Sequence, residues 1–203
     1  DTESDSMSDF AMFIDHTLLK ADATEEDIRK LCEQACMYRF KAVCVNPVYV
    51  RLAAQELRVM DRNEEVKVCT VIGFPLGAST TESKVFETED AIKNGADEID
   101  MVMAIGKMKE GDYEYVKNEI SRVHDVCEKN YKTLKVIIEI CYLTDEEIVK
   151  ASELAFEGGA DFVKTSTGFG PSGATVEAVR LMSSVADKYN GAVKAAGGIR
   201  TRQ

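Results

Sequence analysis

The chain has 203 residues, 45% hydrophobic and 30% charged, a length and composition that allow one substantial core. Its formal net charge of -11 argues against nucleic acid and anionic membrane surfaces as partners, because both carry the same sign. Any phosphorylated ligand must then be held by a local positive site that opposes the global field.

No apolar run reaches the length of a membrane span, and Asp1 to Ser8 is polar and acidic with no signal core, so the expected location is the cytoplasm. Residues 1–10 read as an acidic, flexible N-terminal arm and residues 11–203 as a single domain. The six cysteines (Cys32, Cys36, Cys44, Cys69, Cys127 and Cys141) form no CxxC pair, and most fall inside apolar periodic segments. Packed, reduced thiols are expected rather than disulfides or a zinc site, and neither metal nor cofactor is called for.

In chain order, Phe13 to Leu18 reads as a strand, with Asp15 and Thr17 on one face and Ile14 and His16 on the other. Thr24-Glu-Glu-Asp27 has capping-box spacing and opens a helix whose apolar face is Ile28, Leu31, Cys32, Ala35 and Cys36. Strand two is Ala42–Val45, stopped by Asn46-Pro47, and a helix follows from Val48 to Leu57. Strand three, Val66–Ile72, ends at Gly73-Phe-Pro-Leu-Gly77. A helix from about Thr81 to Lys93 leads to strand four, Glu98–Val102.

A helix from about Asp112 to Lys129 precedes strand five, Leu134–Ile140, on which Lys135, Ile137 and Glu139 share a face. Glu139 is expected to meet a ring of charges or to satisfy a lysine. Thr144 caps the next helix. Strand six lies in Asp161-Phe-Val-Lys-Thr-Ser-Thr-Gly-Phe-Gly170, the helix from Thr175 to Asp187 follows, and strand seven is Ala192–Ala196. Strict alternation of strand and helix predicts an α/β fold with a parallel sheet. No glycine-rich dinucleotide turn follows the first strand, which favours a (β/α)8 TIM barrel over a doubly wound sheet.

An internal echo locates the chemistry. Asn94-Gly-Ala-Asp-Glu-Ile-Asp100 and Gly158-Gly-Ala-Asp-Phe-Val-Lys164 align two strand–helix units apart, so Asp100 and Lys164 hold the same place in alternate strands and are expected to face inward at one level. Lys194 occupies a similar mid-strand place on strand seven. A lysine on a buried strand needs a partner or a task, and two converging lysines repel, which frees one amine to attack a carbonyl. A structural ion pair is the plain alternative. His16 reads as a satisfied structural histidine, His124 as a surface residue, and Cys44 as a small packed thiol.

Phe13-Ile-Asp-His-Thr-Leu-Leu, Val45-Asn-Pro, Gly73-Phe-Pro-Leu-Gly, Glu98-Ile-Asp-Met-Val, Lys135-Val-Ile-Ile-Glu, Phe162-Val-Lys-Thr-Ser-Thr-Gly-Phe and Lys194-Ala-Ala-Gly-Gly-Ile-Arg, in this order, resemble the 2-deoxyribose-5-phosphate aldolase family over nearly the whole chain. The resemblance implies a class I, metal-independent aldolase without a cofactor, cleaving 2-deoxy-D-ribose 5-phosphate reversibly to acetaldehyde and D-glyceraldehyde 3-phosphate in deoxyribose phosphate catabolism. Its partners would be the phosphosugar and aldehyde substrates and a second copy in a homodimer.

By the same resemblance Lys164 is the Schiff-base lysine, Lys194 the neighbour that lowers its pKa, and Asp100 the proton-transfer carboxylate. Asp15 and Thr17 match polar positions that hold a water or a substrate hydroxyl, and Gly168, Gly197 and Gly198 match phosphate-binding loops. It also implies an eighth strand and its flanking helices, which the 203 residues do not contain. The competing expectations are a phosphosugar isomerase or epimerase on the same barrel, and a non-catalytic truncated barrel.

Overall fold

The computed structural model describes residues 14–197. Seven strands alternate with helices: β1 (Asp15–Leu18), α1 (Glu25–Tyr38), β2 (Ala42–Val45), α2 (Val50–Met60), β3 (Lys67–Ile72), α3 (Thr81–Asn94), β4 (Glu98–Val102), α4 (Ile105–Lys109), α5 (Tyr113–Lys129), β5 (Thr133–Ile137), α6 (Asp145–Glu157), β6 (Phe162–Lys164), α7 (Val176–Tyr189) and β7 (Ala192–Lys194). Single 3-10 turns stand at Pro47–Tyr49 and Ile140–Tyr142. The strands follow one another as β1-β2-β3-β4-β5-β6-β7 in one seven-stranded sheet, the first seven units of the expected (β/α)8 order.

The Cα atoms group into two compact units. One holds the chain up to Val71 with Glu89–Glu98, and the other holds Ile72–Thr88 with Ile99 onward. In the first, β1 pairs in parallel with β2 from Asp15 opposite Ala42 to Leu18 opposite Val45, and β2 pairs with β3. All four residues of β2 are buried, as a strand covered on both faces requires. Helix α1 starts where the capping box predicts. Thr24 Oγ1 accepts from Asp27 N at 3.3 Å, and Asp27 Oδ2 accepts from Thr24 N at 2.9 Å.

The second unit contains β5, β6 and β7 in parallel register, with Val136 opposite Val163 and Val163 opposite Val193. Its helices present one buried face each: Val116, Ile120, Val123 and Cys127 on α5, Ile148, Ala151 and Ala155 on α6, and Ala178, Met182 and Val185 on α7. Each fully buried Val or Ile of this kind contributes roughly 1.5–3 kcal/mol. Thr144 and Thr175 cap α6 and α7 through their side-chain oxygens.

The Gly-Ala-Asp echo is a structural device. Val68 N donates to Asp97 Oδ2 at 2.9 Å while Asp97 N donates to Val68 O at 2.8 Å. Leu134 N and Asp161 repeat this, at 2.9 Å for both bonds. Each aspartate thus ties the start of its strand to the start of the preceding one, and Gly95 and Gly159 before it have φ of 115° and 107°.

Several boundaries move. Strands β1, β5 and β7 are shorter than the apolar runs that suggested them, and helix α4 stands between β4 and α5, where no element was expected. Strand β5 stops at Ile137 because Glu139 takes a left-handed backbone, φ 54° and ψ 70°, which ends strand alternation. The expected arm, residues 1–10, lies outside the described residues, as does Phe13. Among the described residues no helix is long and apolar enough to cross a membrane.

Candidate active site

Asp100, the middle residue of β4, is completely buried. Its Oδ2 accepts from Lys164 Nζ at 3.1 Å, and its Oδ1 lies 3.2 Å from Lys135 Nζ. Lys135 is completely buried, whereas Lys164, the last residue of β6, keeps 8% of its surface exposed. Two lysines therefore share one carboxylate. Removing such ions from water costs several kcal/mol each, so the arrangement is weak evidence of a purely stabilising role.

Lys194 stands directly opposite Lys164 in the β6–β7 register, so both side chains leave the sheet on the same face. It is half-buried, and its carbonyl accepts from Thr165 N at 3.1 Å, extending the ladder past the end of β6. The structure thus brings together Asp100, Lys164 and Lys194, and it adds Lys135. The signal for Lys135 was the same as for Lys164, a lysine inside an apolar strand, but Lys135 belongs to no echo that would have singled it out.

The loops after β6 and β7 are fastened to each other. Thr165 Oγ1 accepts from Ala196 N at 3.0 Å, and Ala174 N donates to Ala196 O at 3.0 Å. Gly168 has φ 89° and Gly197 φ 79°, conformations that L side chains rarely adopt. A Cβ on Gly173 would lie 2.1 Å from Gly197 O, so Gly173, which sequence reasoning passed over, is needed for the two loops to meet. Gly198 lies outside the described residues.

Glu139 does not serve the expected ring of charges. It is 2% exposed, and its carboxylate accepts from Thr167 N at 3.0 Å and Thr167 Oγ1 at 2.5 Å. The turn at Glu139 redirects its side chain from the strand face to the loop after β6. Thr167, Phe169 and Glu139 join Leu76, Ile105 and Tyr142 in lining an open cleft of about 380 Å³. Phe74 meets Phe169 edge-on at 5.4 Å between ring centroids.

A second buried lysine was also missed. Lys84 on α3 is completely buried, and its Nζ donates to Glu119 Oε1 at 2.5 Å, Gly77 O at 2.8 Å and Val102 O at 3.0 Å. Burial pushes its pKa down, with the Glu119 carboxylate pulling the other way.

Asp15 and Thr17 sit on β1 in the first unit. Asp15 is half-buried, Thr17 is exposed, and Thr17 Oγ1 approaches Asp15 O at 3.4 Å. His16 meets Gln34 Oε1 through Nε2 at 2.6 Å and packs against Phe40. His124 is half-buried rather than at the surface, because its ring lies where a Cβ on Gly159 would be. Cys44 is packed, and burial pushes the Cys32 and Cys127 thiols up to about 12.

Residues 10–203 match the family model described as "DeoC/LacD family aldolase". The chain is 60% identical over 193 residues to the deoxyribose-phosphate aldolase of Thermococcus gammatolerans, covering 95% of this chain and 84% of that protein. It is 54% identical over 200 residues to the deoxyribose-phosphate aldolase of Caldanaerobacter subterraneus, covering 98% and 84%. Among solved structures, the deoxyribose phosphate aldolase from Aeropyrum pernix, described as tetrameric, is 35% identical with a TM-score of 0.88 over 97% of this chain and 80% of that one.

Proposed function

The chain belongs to the DeoC/LacD family of aldolases, and from that premise we propose that it is a class I aldolase acting on 2-deoxy-D-ribose 5-phosphate, with Lys164 as the residue that forms the Schiff base. The observation that carries the reading is a nearly buried lysine sharing a carboxylate with a second lysine and in register with a third. Burial and neighbouring cations in general act against the ammonium form of an amine while a carboxylate acts for it, and the proposed reaction requires the neutral amine at Lys164.

The neutral Lys164 amine adds to the C1 aldehyde of the open-chain sugar. Loss of water then gives an iminium, which draws electrons from the C2–C3 bond. As that bond breaks, the C3 hydroxyl proton passes to Asp100, directly or through water, and C3 becomes the aldehyde carbon of glyceraldehyde 3-phosphate. The electron pair resides as an enamine on the carbons bound to Lys164. Protonation at C2 and hydrolysis of the resulting iminium release acetaldehyde and regenerate the amine.

Lys194, opposite Lys164 in the register, is proposed to act on it as the neighbouring cation. Lys135 holds the second oxygen of Asp100 and fixes its orientation. The turns at Gly168 and Gly197 are proposed to approach the phosphate, and Gly198 is proposed to share that role. Asp15 and Thr17 are proposed to hold a water or a substrate hydroxyl.

The test is acetaldehyde followed by borohydride, read by peptide mass spectrometry. A single reduced ethyl adduct on Lys164 is expected, absent in Lys164→Met. An adduct on Lys194 or Lys135 instead would reassign the nucleophile, and no adduct on active protein would sink the Schiff-base mechanism. Self-association is proposed from the tetrameric relative and is checked by light scattering on the eluted protein. A monomer at micromolar concentration would exclude it.

A further inference from the structure

Glu139 is buried, charged and absent from the chemistry above, yet its backbone is held in a left-handed conformation that an L side chain rarely adopts. Local strain of that kind persists only where the surroundings over-determine it. Here they do. Ile138 N donates to Lys164 O at 3.0 Å and Ile140 N to Thr165 O at 2.9 Å, so the residues on both sides of Glu139 are tied to the chain leaving β6. The carboxylate between them takes Thr167 N and Thr167 Oγ1.

Thr167 Oγ1 in turn accepts from Phe169 N at 3.1 Å, so one carboxylate orders three consecutive residues across the left-handed Gly168. A Cβ on Gly170 would lie 2.8 Å from Cys141 Sγ and 3.5 Å from Glu139 Oε1, so the end of the loop is packed on the same turn. A carboxylate beside a loop meant for an anionic group is electrostatically unfavourable in an already acidic protein. Its retention must come from what its hydrogen bonds hold.

We propose that Glu139 is a positioning residue that fixes the loop Thr167–Gly170 for the phosphorylated part of the substrate, while leaving imine formation at Lys164 three residues away intact. This inference rests on the aldolase reading and goes beyond it by separating the two halves of the site. Lys164 is set by β6 and Asp100. The loop that follows it is set from β5, through Glu139.

The experiment compares KM for deoxyribose phosphate with the rate of borohydride trapping by acetaldehyde, which has no phosphate. Glu139→Ala is expected to raise KM about 10- to 100-fold, the effect of losing charge-assisted hydrogen bonds, with the trapping rate unchanged. Glu139→Gln, which keeps an acceptor for Thr167 N, is expected to fall between wild type and alanine, and it carries the test if the alanine variant does not fold. Glu139→Gly relieves the backbone but is expected to leave KM raised.

Thr167→Val combined with Glu139→Ala is expected to raise KM by less than the two single changes together, because both break the bond between Thr167 Oγ1 and the Glu139 carboxylate. A parallel fall of trapping and turnover, or wild-type KM in Glu139→Gly, would overturn the proposal, as would additive effects in the double variant. Failure of the underlying aldolase reading looks different, since the wild-type protein itself would then trap no acetaldehyde.

Discussion

Two buried lysine clusters in the second unit use the same residue types and differ in how the charges are shared. Lys84 spends its ammonium on Glu119, Gly77 O and Val102 O, three acceptors for three donors, with no surface exposed. Glu119 is completed by Thr81 Oγ1 at 2.8 Å on its other oxygen. At Asp100 the carboxylate is divided between Lys135 and Lys164, a third lysine stands in register, and Lys164 keeps an opening to solvent. Burial alone therefore does not separate the two lysines. What differs is that Lys164 shares its counter-ion with a second lysine and keeps a remnant of solvent exposure.

The positions of the two clusters agree with this division. Lys84 reaches from a helix to the end of β4 and to the loop Gly73–Gly77, which Glu87 also holds through Gly73 N at 2.7 Å. Gly77, with φ 65°, has no room for a Cβ, which would meet Met103 O at 2.0 Å. The helix cluster thus fixes backbone near the strand that carries Asp100. Removing either cluster should produce a different kind of loss.

The largest effect is expected at Asp100. Asp100→Asn keeps the shape and removes the proposed proton acceptor, so turnover should fall about 10²- to 10⁴-fold while acetaldehyde trapping on Lys164 persists. Single-turnover kinetics beside the trapping assay check it. Equal loss of both would make the Asp100 cluster a structural ion pair like that of Lys84, and the contrast between the two would collapse.

Next comes Lys84→Met, which leaves Glu119 buried without its cation and should cost roughly 3–5 kcal/mol of stability, read from urea denaturation midpoints. Lys84→Met with Glu119→Leu should recover most of that, because an apolar pair replaces the ions without leaving either alone. If the single variant is as stable as wild type, the saturated cluster is not what holds the loop. Folded Lys84→Met protein should still form the Lys164 adduct.

How far these clusters were legible depends on the element that carries them. Strand alternation and the repeated Gly-Ala-Asp offset pointed to Asp100 and Lys164, because two residues per period leave little choice of face. Glu139 misled the same rule, since a single left-handed residue ended the strand and turned its carboxylate to Thr167. Lys84 lies in Thr-Glu-Ser-Lys-Val-Phe-Glu, where a mixed helix offers no apolar stripe to betray a buried cation, and Phe86 two residues on is 70% exposed. Its partner Glu119 looks in sequence like any solvent-facing acid of α5. Only the tertiary meeting of α3, α5 and the end of β4 identifies the pair.

The smallest expected effect belongs to a surface counterpart of Lys84–Glu119. Lys109 Nζ lies 2.6 Å from Glu147 Oε1, a distance like that of the buried pair, but the Lys109 side chain is 44% exposed. Water screens it, so Lys109→Met should cost no more than about 1 kcal/mol and less at high salt. The hydrogen bond from Lys109, followed by that from Thr144 N, holds the Glu147 carboxyl below its ordinary range. Folding therefore favours the ionised form, and the unfolded chain takes up a proton first as pH falls. The stabilisation is fully present above the ordinary glutamate value of 4.5 and is lost as pH falls through the lowered folded value. Glu147→Gln should accordingly be less stable than wild type at neutral pH, with the gap closing in acid. A gap independent of pH would mean that shape at the helix cap, rather than charge, is what Glu147 contributes.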